Sequence, residues 1–233
     1  MKKHIDLVTL ILLLFTSISL SAYAATDGSN IDFSQGFQGW KRYHGTFKCD
    51  NPSAPDDDKK YSYRWTEVNE TDRIKIITEY NTLDPIIRCN NLYTNPDPGK
   101  VVARLGVPKQ TEGNDENATT EKLEYEFDIT DETSILKYRF AAVLHVPSSG
   151  HVGEEYPFFG VKVTVTKEDG TEAVIPCSSY ETIANSAGSN VEKGTNCAAS
   201  SSASDYVFRS WTSILVDMRE FVGGTAKISV ITR

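Results

Sequence analysis

Tyr61, Tyr63 and Trp65 occupy every second position of a short run, which puts three aromatic rings on one face of a strand. Rings spaced this way stack on the apolar faces of sugar rings while nearby polar groups bond the hydroxyls. Tyr156 and Phe159, from the run Tyr156-Pro157-Phe158-Phe159, are candidates of the same kind, as is Tyr43. Trp40 and Trp211 flank strands, where an indole ordinarily fills a core. Trp65, beside Tyr61 and Tyr63, is the better platform.

Chemistry beyond recognition finds little support. A glycosidase needs two carboxylates facing across a cleft, and Glu124 and Glu126 lie two apart on one strand, both turned away from Leu123, Tyr125 and Phe127. No G-x-S-x-G elbow occurs. The stretch from His145 to Glu155 carries His145, His151, Glu154 and Glu155, a set that suits zinc or manganese and equally a polar edge loop. A non-enzymatic chain is the expectation.

Four cysteines follow the N-terminal segment: Cys49, Cys89, Cys177 and Cys197. An even count in an exported chain implies disulfides, and four cysteines allow three connectivities. Chain order favours Cys49–Cys89 and Cys177–Cys197, the second bracketing an evident loop. No C-x-x-C spacing points to zinc.

These side chains need elements to hold them. Residues 1–24 read as a secretory signal peptide, with Lys2 and Lys3, an apolar run from Leu7 to Leu20, and the cleavage-type triplet Ala22-Tyr23-Ala24. The run is short for a membrane span, which takes roughly 20 residues, and no second run follows. The expected product is secreted or displayed on the cell surface. Residues 25–233 are enough for one large all-β domain. The net charge of −8 and the absence of Lys/Arg clusters argue against nucleic acid as a partner.

Strand-like runs dominate. Lys122–Ile129 alternates Leu123, Tyr125, Phe127 and Ile129 with charged residues, and Val161, Val163 and Val165 share one side of the next run. Ile135–Val146 is almost continuously apolar and reads as a central strand covered on both faces. Glu168-Asp169-Gly170-Thr171 is a hairpin turn. The runs on either side of Gly223-Gly224 read as two antiparallel strands meeting at a diglycine. About ten short strands imply an antiparallel β-sandwich of jelly-roll type.

Phe33-x-x-Gly36-x-x-Gly39-Trp40 resembles the opening strand of carbohydrate-binding-module-like jelly rolls. The run Tyr138-Arg139-Phe140-Ala141-Ala142-Val143-Leu144, then His151, Tyr156-Pro157-Phe158-Phe159, Ile175-Pro176-Cys177 and the Trp211–Thr232 stretch, resembles one group in particular. That group is the N-terminal jelly-roll module of Bacteroidetes secreted surface proteins, gliding-motility-associated or adhesin-like. The resemblance implies a non-catalytic module that binds a glycan or a surface protein ligand, with further domains downstream. It also implies a structural calcium near the opening strand, for which Asp32 and Asp217 are the carboxylates to inspect. In the look-alikes another Cys and a Gly-rich final strand follow the equivalent of Ile231-Thr232. Here the sequence stops at Arg233, which reads as a domain short of its last strand or a piece of a longer protein.

Overall fold

The computed structural model is described for residues 30–55, 58–106, 118–147, 153–184, 191–194 and 206–233. The signal-peptide reading therefore lies outside the described residues, as do His151 and Cys197.

Twelve strands run through the described residues: β1 (Lys41–Cys49), β2 (Tyr61–Glu67), β3 (Ile74–Ile77), β4 (Val102–Leu105), β5 (Ala118–Asp128), β6 (Ile135–His145), β7 (Phe158–Thr166), β8 (Glu172–Val174), β9 (Tyr180–Ile183), β10 (Glu192–Gly194), β11 (Tyr206–Asp217) and β12 (Thr225–Thr232). Seven form one sheet in the order β2-β1-β5-β12-β7-β8, with β9 also paired to β7; β10-β11-β6 form a second sheet and β3-β4 a separate two-stranded sheet. Every pairing is antiparallel. The fold is all-β and sandwich-like, as the alternation predicts. The chain crosses between the layers from β5 to β6, back to β7, over again between β9 and β10, and back from β11 to β12.

The core lies between the layers. On β7, Phe159, Val161, Val163 and Val165 point inward and are buried, and β5 contributes Leu123 and Tyr125 from the same side. Each such side chain, fully buried, contributes about 1.5–3 kcal/mol. Across from them stand Leu136, Phe140, Ala142 and Leu144 of β6 with Val207 and Val216 of β11. The opening segment caps one end. Trp40 is buried, stacks on Phe33 at 4.4 Å, and donates its indole N–H to the Asn30 carbonyl at 2.8 Å.

Two expectations are corrected. Ile135–Val146 is no central strand: β6 pairs with β11 alone among the described residues, and its burial alternates. Its apolar run reflects a face packed on the core and a second face where Ala141 and Val143 meet another cluster. Nor do the strands around Gly223-Gly224 pair. β11 belongs to the small sheet and β12 to the large one, because a 3-10 turn at Arg219–Phe221 and Gly223 at φ 94° carry the chain across the sandwich. The Glu168–Thr171 turn does join a hairpin, β7 to β8, through the Lys167 N–H to Thr171 carbonyl bond at 2.9 Å.

Between β3 and β4 the chain makes a long excursion over the outer face of the small sheet. Ile87 and Leu92 bury against Tyr206 and Phe208 of β11. The Trp211 indole donates to the Tyr93 carbonyl at 2.8 Å, and Arg139 pairs with Asp97.

Candidate functional site

Strand register sorts the residues of β1 and β2 onto two faces. Gly45 pairs with Trp65 and Phe47 with Tyr63, while Tyr43 pairs with Lys122 of β5. Since Lys122 neighbours the inward-facing Leu123, all of these side chains lie on the outward face of the large sheet. Tyr61 sits opposite Cys49 on that same face. Tyr43, Phe47, Tyr61, Tyr63 and Trp65 thus form one patch across two adjacent strands.

The rings are in mutual contact. Tyr63 and Trp65 are nearly parallel, with centroids 6.2 Å apart, Phe47 and Tyr63 lie 5.8 Å apart, and Tyr43 meets Trp65 edge-on at 6.5 Å. Gly45 makes the seat for Trp65. A Cβ there would come within 2.8 Å of Trp65 Cε3 and 2.9 Å of both the Arg64 carbonyl oxygen and Thr120 Cγ2. The indole therefore leans over β1 towards β5. Tyr63 is 36% exposed, and Tyr61, Trp65 and Tyr43 are half-buried.

Polar groups frame the rings. Lys122 Nζ lies 4.4 Å from the Tyr43 centroid and 4.8 Å from that of Trp65, and pairs with Glu124 at 3.1 Å. Arg233 lies 5.4 Å from the Phe47 centroid and 5.0 Å from that of Phe158. It donates to the Tyr63 hydroxyl at 2.5 Å and pairs with Glu154 at 3.2 Å, while Tyr63 donates its own proton to Glu154. Burial and that bond to Glu154 push the Tyr63 phenol up to about 12. Burial and the nearby Glu155 raise Tyr61 as well. The result is a fixed aromatic surface edged by both donors and acceptors, the composition that holds a polyhydroxylated ring.

Of the five residues expected to bind ligand, the structure gathers three. Tyr61, Tyr63 and Trp65 stand together as the alternation predicts. Tyr156 is half-buried in the turn before β7. Phe159 is a correction: it is 7% exposed and packs on Phe140 at 5.2 Å, inside the sandwich. Its neighbour Phe158 takes the outward position, because Thr232 opposite Phe159 also faces in. Sequence reasoning missed Phe47, Lys122 and Arg233. The alternation Tyr43-x-Gly45-x-Phe47 was legible as a strand face, but nothing local linked it to Trp65.

Asp32 and Asp217 do not form a joint site. Asp32 accepts the Ser34 N–H at 3.0 Å within the opening turn, and Asp217 grips Arg219 at 2.5 Å, which holds its carboxyl at about 2. Among the described residues no three His, Cys, Asp or Glu side chains gather as a metal site. Glu154 and Glu155 are paired with Arg233 and Lys59 instead, and His145 lies against the Tyr206 ring at 5.2 Å.

The expected cysteine pairing is also corrected. Cys49 and Cys177 are free, and Cys89 is disulfide-bonded. Cys49 lies on the outward face of β1 and Cys177 at an exposed turn, and as free thiols they complete neither expected bridge.

No family model, curated protein or solved structure matches this chain. Among the described residues no helix is long and apolar enough to cross a membrane.

Proposed function

We propose that this protein is a non-catalytic binding module that holds a glycan on the outward face of its large sheet. The observation that carries the reading is the five-ring patch of Tyr43, Phe47, Tyr61, Tyr63 and Trp65, which faces away from the core. The contrast with the small sheet supports it, since there the aromatic residues Tyr206 and Phe208 are buried under the β3–β4 excursion. On the large sheet Tyr43, Tyr61, Tyr63 and Trp65 stay part-exposed beside Lys122, Glu124, Arg233 and Glu154, while Phe47 is buried with Arg233 over its ring. Export to the cell surface, and kinship with the Bacteroidetes surface modules, belong to the same proposal and rest on the sequence motifs.

The test is a glycan array followed by calorimetry on the best ligand. Trp65→Ala, which removes a central anchor, should weaken binding at least ~10-fold, given that aromatic hot spots contribute 2 kcal/mol or more. Tyr63→Ala should do the same with the fold intact by circular dichroism. Absence of binding across neutral and acidic glycans, or full affinity in both variants, would defeat the proposal.

A further inference from the structure

The β1–β2 pair has a second face unlike the first. Arg42, His44, Thr46 and Lys48 alternate with the ring-bearing residues of β1, and Ser62, Arg64 and Thr66 do so on β2. Register sets Thr46 opposite Arg64, His44 opposite Thr66 and Lys48 opposite Ser62. On β5 this same side is the inward one, carrying Thr119, Glu121 and Leu123. Yet Lys48, Ser62, Arg64 and Thr66 are exposed, so the ribbon overhangs the second layer instead of being covered by it. Arg73, just before β3, reaches this side and pairs with Glu121 while donating to Thr119 at 2.7 Å.

The face is basic on a chain whose net charge is −8. It presents Arg42, Lys48, Arg64 and Arg73, with His44 beside them. Its inner carboxylate, Glu121, is already held by Arg73 and stands 3.3 Å from His44. At the tip, Asp50 accepts from Ser62 at 2.8 Å. Among the described residues neither Lys48 nor Arg64 forms an ion pair. Holding unpaired cations side by side on one strand pair is unfavourable unless an anion joins them. Lys48 and Arg64 are diagonal neighbours, their backbones about 7–8 Å apart, and four hydroxyls (Thr46, Ser62, Thr66 and Thr119) surround them.

We propose that this overhanging face binds an acidic glycan, a polysaccharide carrying carboxylate or sulfate groups. The Arg64 guanidinium suits bidentate capture of either oxyanion, and Lys48 supplies a point charge for a second group. The hydroxyls match sugar hydroxyls. Nucleic acid fits poorly, because phosphate-driven binding recruits many cations and a single strand is held by stacking its bases on aromatic rings, which stand on the other face of this ribbon. The site lies on the opposite side of the ribbon from the rings, so it stands or falls separately from the aromatic platform.

Affinity electrophoresis in gels containing polygalacturonate, dextran sulfate, neutral dextran or oligothymidine tests the proposal. Retardation by polygalacturonate assigns carboxylate recognition, by dextran sulfate sulfate recognition, and either supports the site. Dextran should not retard the protein. Lys48→Ala with Arg64→Ala should weaken retention at least 10-fold, and Arg64→Glu should abolish it. Both positions are exposed, so the fold should survive, checked by circular dichroism. Lys227→Ala, removing one positive charge from the outward face, should change nothing. Equal retardation by oligothymidine, no retardation by either acidic polymer, or unchanged binding in the double variant would overturn the assignment.

Discussion

Replacing Gly45 with alanine puts the central packing contact of the aromatic patch to the test. The added methyl would sit 2.8 Å from Trp65 Cε3 and 2.9 Å from the Arg64 carbonyl oxygen and Thr120 Cγ2. The indole can tilt, but a backbone carbonyl in an edge ladder yields only by moving the strand. Overpacking of this kind costs about 1–3 kcal/mol. Alanine recovers about 0.5–1 kcal/mol by restricting the unfolded backbone more than glycine does. The net expectation is a loss of roughly 0.5–2 kcal/mol, which in a domain this size lowers Tm by about 1–8 °C. Differential scanning calorimetry reads the shift, and a glycan titration reads whether the displaced indole still binds. In a Trp65→Ala background the penalty should shrink by at least ~0.5 kcal/mol, since one of the three contacts has gone. A Gly45→Ala protein as stable as its parent, or a penalty unchanged by removing Trp65, would refute the packing argument.

Thiol titration of the unfolded, unreduced protein should find two free thiols, Cys49 and Cys177, and four after reduction; none before reduction would restore the sequence-based pairing. By NMR, Asp217 should titrate near 2, and Arg219→Gln should bring it back towards the ordinary carboxylate range. Because its folded value is depressed, its contribution to stability is present above about pH 4 and is lost as pH falls through 2. Ultraviolet titration should show Tyr63 and Tyr138 ionising late, both pushed to about 12 mainly by burial, with Tyr61 and Tyr43 also raised, and Tyr63→Phe should remove one phenol from the latest phase. Their raised values stabilise the fold fully below about pH 10, and that contribution is lost as pH climbs towards 12.

Much of the architecture was legible because side-chain alternation is a local property of a strand. The inward faces of β5 and β7 could be read from Leu123, Tyr125, Val161, Val163 and Val165, and the row Tyr61, Tyr63, Trp65 announced itself at the same period. The charges that edge the platform were not legible. Glu154 and Arg233 are 79 residues apart, and Arg233 and Tyr63 are 170 apart. No periodicity connects them.

Sequence alone thus determined that the chain makes antiparallel strands and which residues of each strand share a face. Tertiary structure decided which strands are neighbours and which face of a strand meets a second layer. That choice placed Phe159 in the core and Phe158 outside, sent β11 and β12 to different sheets across the Gly223-Gly224 turn, and left the β1–β2 ribbon open on both sides. The reason is physical: a pleat sets the direction of each side chain from its own backbone, whereas burial is conferred by whatever distant segment packs against it.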